Sequence, residues 1–186
     1  TKTAAETLCE FFAHRHGLPA LVLRTSRFFP EPDDDPEQRA RYAADNAQAN
    51  ELLFRRADIE DIVSAHLLAA ERAPALGFGR YIVSATTPFS QADLVELRRD
   101  AAAVVSRLYP DFAALYAGRG WSMFGSIDRV YVNEAARRDL GWRPRYDFAR
   151  VLDRLRSGRD FRSEVARQVG AKGYHDGAFA DGPYPT

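Results

Sequence analysis

The chain reads as an α/β protein whose second half is predominantly helical. Two short apolar runs bounded by turn residues, 20–25 and 81–84, read as strands, and they alternate with stretches whose apolar residues recur at helical spacing. Strands alternating with helices imply a layered α/β architecture. At 186 residues the chain has room for one domain with a core, or for half of a larger one. No internal repeat, low-complexity tract or long linker divides it.

Residues 1–16 read as one helix, with Ala5, Leu8, Cys9, Phe12 and His16 at i, i+3, i+4, i+7 and i+11, Gly17 as C-cap and Pro19 as stop. The first residue already lies inside this pattern, so the chain reads as cut at the start of a helix. Its apolar face assigns Cys9 to a core. Residues 20–25 follow as a buried strand, and 28–36 as a loop rich in Pro and Asp. A helical stretch over 37–53 leads to Asp58, which caps a helix running to about residue 73 with Ile62, His66, Ala69 and Ala73 on one face. The second strand is Tyr81-Ile82-Val83-Ser84. Ser90 with Asp93 forms a capping box ahead of Leu94 and Leu97. Two further helices span 133–140, ended by Gly141, and 148–155, capped by Asp147 and ended before Gly158.

Composition narrows the partners. Lys plus Arg and Asp plus Glu each total 26, which argues against nucleic acid or an anionic membrane as the main partner, since phosphate binding leaves a basic excess. The single cysteine excludes an internal disulfide and fits a reducing compartment. No apolar run reaches the roughly 20 residues of a membrane-spanning helix, and no signal peptide is evident, so a soluble, cytoplasmic protein is expected. Asp33-Asp34-Asp35 with Glu31 and Glu37 lacks the alternating ligands and central glycine of a calcium loop and reads as a solvated acidic turn. His14 and His16, two apart on a helix, cannot share a metal. His66 reads as a satisfied core histidine and His175 as a surface one. Trp121, Trp142, Tyr109 and Tyr116 read as packing residues. No metal site is expected.

Five segments stand in an informative order: Thr-Lys-x-Ala-Ala-Glu from Thr1, Leu-Arg-x-x-Arg-Phe-Phe-Pro at the end of the first strand, Arg-Arg-x-Asp-Ile-x-Asp-Ile from Arg55, Tyr-Ile-Val-Ser-Ala followed by Pro-Phe-Ser, and Leu-Gly-Trp-x-Pro from Leu140. Over residues 1–158 this order resembles the C-terminal half of the extended short-chain dehydrogenase/reductases, the NAD-dependent epimerase/dehydratase family. The resemblance implies a Rossmann-type three-layer fold, seen from its C-terminal part only, with a mostly helical substrate lobe and the N-terminal dinucleotide-binding half absent. It implies NAD- or NADP-linked chemistry at a hydroxyl-bearing carbon of a small-molecule substrate, as in an epimerase, dehydratase or oxidoreductase. The rival reading is a non-catalytic protein on the same fold that senses a dinucleotide or binds a partner. A homodimer through the N-terminal helix is a further expectation.

The resemblance assigns Lys2, one of two lysines beside Lys172, to the lysine of the family's Tyr-x-x-x-Lys motif, with the tyrosine four residues earlier. That lysine bonds the nicotinamide ribose and lowers the pKa of a phenol that is otherwise, near 10, a poor base. Thr25 and Ser26 match the place where the family's chain passes the nicotinamide; plain turn chemistry is the competing reading. Arg27 stands where many members carry a substrate-binding Asn, which favours an anionic substrate, with Phe28 beside it. The competing role for Arg27 is to brace the acidic loop at 31–35. Arg55 and Arg56 sit near the place of the family's arginine that grips a nucleotide diphosphate, or are surface residues between helices.

Overall fold

A computed structural model describes residues 1–30 and 35–169. Lys172, Tyr174, His175 and most of the acidic turn, residues 31–34, lie outside the described residues. The described chain is a mixed α/β structure in which one parallel strand pair carries ten helices, most of them short.

Helix α1 (Lys2–His16) ends at Gly17, whose φ of 65° is the left-handed cap that glycine adopts without a Cβ clash. Strand β1 (Ala20–Thr25) follows. Helices α2 (Pro36–Arg41), α3 (Ala44–Glu51) and α4 (Ile59–Leu76) then form the crossover to β2 (Phe78–Val83), which pairs with β1 in parallel, Ala20 opposite Phe78 and Thr25 opposite Val83. The stretch expected as one helix over 37–53 is broken at Tyr42–Ala43, where Tyr42 turns extended and buries its ring against Phe124. Asp58 caps α4 by accepting from the Glu60 amide, as its position predicts. Ser90 and Asp93 form the expected capping box before α5 (Leu94–Leu97). The remaining helices are α6 (Ala101–Leu108), α7 (Phe112–Ala117), α8 (Glu134–Asp139), α9 (Phe148–Arg156) and α10 (Glu164–Val169).

Alternation along the strands sets what lies on each face of the sheet. Leu21, Leu23, Tyr81 and Val83 pack on α4 with Ile62, Ala65 and Ala69, and this cluster continues into Leu140 and Trp142. The intervening residues face α1: Arg24 pairs with Glu6, Arg80 with Glu6 and Glu10, and Phe78 stacks near His14. The sheet therefore lies between two helical layers. A second, larger core fills the helical half, where Leu53, Leu97, Val104, Val105, Tyr116, Phe148, Val151 and Leu152 are all but fully buried. Trp142 and Tyr116 are packing residues as expected, with exposures of 1% and 2%.

Helix α1 faces the sheet through Glu6, Glu10 and Ala13 rather than through the apolar face the spacing singled out, because two strand arginines fix the two glutamates. Cys9 is consequently exposed, not a core residue, and Leu8, Phe11 and Phe12 point outward. His66 is also exposed and holds the Ile62 carbonyl through Nδ1. No helix among the described residues is long and apolar enough to cross a membrane.

The motifs at Arg55 and Leu140 form one structural unit. Asp61, buried at the start of α4, accepts amide bonds from Arg145 and Tyr146. The Trp142 indole donates to the Asp61 carbonyl and to Ser64 Oγ, and Tyr146 donates to Glu60. The Leu-Gly-Trp-x-Pro turn is thus clamped onto the first turn of α4.

Candidate functional site

Beyond Thr25 and Val83 the two strands part. The Ser26 amide still donates to the Val83 carbonyl, but Arg27 bonds the segment before α4 instead: its amide donates to the Arg55 carbonyl and its carbonyl accepts from the Ala57 amide. The Arg56 carbonyl in turn accepts from the Ala85 amide and the Ser84 hydroxyl. Residues 55–57 therefore wedge between the C-terminal ends of β1 and β2. Crevices of this kind, beyond the carboxyl ends of parallel strands, are where open α/β sheets hold ligands.

Inside the wedge sits Glu51, the last residue of α3 and 1% exposed. Three guanidinium groups converge on it: Arg27 Nη1 at 3.2 Å and Arg55 Nη2 at 2.9 Å on Oε1, and Arg56 Nε at 2.7 Å on Oε2. Arg56 is itself buried and also donates to the Phe29 carbonyl at 2.9 Å. Burial pushes its guanidinium pKa down, against the pull of Glu51. Arg27 and Arg55 remain partly open to solvent, so the cluster presents cations outward from a buried carboxylate. Beside Arg55 a cavity of about 340 Å³ opens between Tyr42, Phe54, Phe124 and Asp128, with Arg55 lying 5.2 Å over the Phe54 ring.

The structure brings together Arg27, Arg55 and Arg56, which are 28 or more positions from one another only across the Arg27 gap, and it shows why: each reaches Glu51. Phe28 is half-buried against the α4 core, its ring 4.3 Å from Phe29. Thr25 is exposed at the strand end, whereas Ser26 is buried and its Oγ has no hydrogen-bond partner among the described residues. A buried hydroxyl without a partner is uncommon and costs free energy.

Lys2 is exposed and shares this end of the sheet. Along α1, Glu6, Glu10 and His14 step past Arg24, Arg80 and Phe78, so helix and strands run in opposite directions. One helical turn rises about 5.4 Å and two strand residues about 6.6 Å. One turn before Glu6, Lys2 comes level with Ser26.

Glu51 is the residue of this cluster that sequence reasoning missed. A glutamate in a helical stretch reads as solvated; the available signal was the trio of arginines, two of them adjacent, which require an anion if any is buried. Among the described residues no three His, Cys, Asp or Glu side chains are grouped to hold a metal ion. Comparison of the chain with protein-family models, curated proteins and solved structures finds no match.

Proposed function

We propose that the chain carries the C-terminal part of a Rossmann-type, NAD(P)-dependent enzyme acting at a hydroxyl-bearing carbon of an anionic small molecule. The observation that supports this reading is the convergence of Thr25, Ser26 and the Glu51-centred arginines at the carboxyl end of a parallel strand pair held between two helical layers. The dinucleotide, when bound, accepts or returns hydride.

The side chains have separable roles. The Lys2 ammonium holds a ribose hydroxyl, the role that the family resemblance gives it. The unpartnered Ser26 hydroxyl and the exposed Thr25 hydroxyl supply bonds at the strand end. Arg27 and Arg55, partly exposed where they meet Glu51, engage substrate carboxylate or phosphate, while Arg56, buried, positions them. The outward apolar residues of α1, Leu8, Phe11 and Phe12, favour self-association through that helix, and they are also what a non-catalytic partner-binding role on this fold would use.

Turnover of the full-length protein with NAD or NADP, across alcohols and nucleotide sugars, tests the proposal. Lys2→Ala and Lys2→Arg both lose at least about tenfold in kcat, because a planar guanidinium does not replace a compact ammonium. Native-like rates in the Arg variant would remove Lys2 from the chemistry.

A further inference from the structure

We infer a second anion site, on the opposite edge of β2 from the Glu51 cluster, that takes the phosphate group of a small molecule. Its place follows from backbone alternation: the Ala85 amide points to Arg56, so the Ser84 carbonyl points the other way, and there it accepts from the buried Asn133 side chain at 2.9 Å. Asn133 also donates to Thr86 Oγ1 at 3.1 Å. These bonds fix the chain after β2 against the start of α8 and leave a pocket of about 420 Å³ between them, within the size range of small-molecule sites.

The chemistry of the walls is cationic and donor-rich. Arg137, Arg138 and Arg143 line the pocket against one carboxylate, Glu134. Arg138 is held by Asp139, at 2.7 Å from Nε. Arg143 is oriented by donating Nη1 to the carbonyls of Arg137 and Trp142, both at 2.9 Å, which neutralises no charge and leaves its Nε and second amino group for another acceptor. Arg137 has no side-chain bond or ion pair among the described residues. Like charges around one concavity repel, and an anion between them relieves that repulsion.

Two hydroxyls complete the set. Thr86 Oγ1 accepts from Asn133 and Thr87 Oγ1 from the Phe89 amide, so both keep an O–H to donate. Guanidinium forks on one wall and hydroxyl donors on the other match a tetrahedral oxyanion with several acceptor oxygens. The site is independent of the proposed dinucleotide chemistry, since it uses none of the residues around Glu51.

Calorimetric titration of the full-length protein with inorganic pyrophosphate at constant ionic strength tests this, alongside the Nε–H resonances of its arginines. Saturable one-to-one binding is expected, about tenfold or more weaker in Arg137→Gln, whose side chain braces nothing, and in Arg143→Gln. Arg55→Gln, on the other edge of β2, leaves this affinity unchanged. Binding that is unsaturable, that survives Arg137→Gln, or that falls with Arg55→Gln overturns the site. Succinate binding as tightly as pyrophosphate overturns its assignment to phosphate.

Discussion

At the scale of single residues, Glu51 decides more than any group the sequence singles out. It is buried with Arg56, and each compensates the other's desolvation; removing one partner strands an ion in a poor solvent. Glu51→Ala therefore costs about 3 to 5 kcal/mol of folding stability, read by urea denaturation. Arg55→Ala, at the exposed rim, costs under about 1 kcal/mol. Equal losses in the two variants would show that Glu51 contributes as a surface ion pair. The arginines were singled out in the sequence, and Arg27 was placed just past the first strand, but Arg55 and Arg56 were not assigned to that strand end. Their common partner was not legible, because nothing in a linear pattern distinguishes a glutamate that faces solvent from one that faces three cations brought from 24 positions away in one case and four in another.

At the scale of elements, punctuation was the reliable signal. Gly17, Asp58, the Ser90–Asp93 box and Asp147 stop or start helices where their chemistry requires, and β1 has the expected bounds. Burial was less legible. The apolar stripe of α1 faces outward because Arg24 and Arg80 hold its acidic side, and α6 and α7 escaped notice because they are only eight and six residues long, although Ala101, Val104 and Val105 do recur at helical spacing. The clamp at the start of α4 has a pH signature. Burial pushes Asp61 up to about 6, against the amide bonds from Arg145 and Tyr146. The folded state then holds this proton more tightly than the unfolded chain does. Its contribution to stability is full below pH 3.8 and is lost as pH rises through about 6. Asp61→Asn removes that slope, so the native protein's stability relative to the variant falls by up to about 3 kcal/mol between pH 4 and 7. Denaturation of both proteins across this range checks it, and a constant gap would mean that Asp61 is not the titrating group.

For the whole molecule, alternating strands and helices foretold a mixed α/β chain, and the structure adds how its halves divide the work. A small sheet core, built on α4, fixes the strand ends; a larger helical core surrounds the cavity next to Arg55. Thr25, Ser26 and Arg27 follow one another at the end of β1, and the Arg55–Arg56 segment joins them there through the Arg27 backbone. The cavity was less legible, since its walls come from three separate segments, 35–42, 54–55 and 124–128. The central claim is that this end of the sheet receives a nicotinamide dinucleotide, and fluorescence titration of the full-length protein with NADH and NADPH tests it most directly. Saturable binding of one of the two, weakened about tenfold by Lys2→Ala through loss of a charge-assisted bond and unchanged by Arg137→Gln, is the predicted result. Absence of saturable binding to both, or an affinity indifferent to Lys2→Ala, would contradict it.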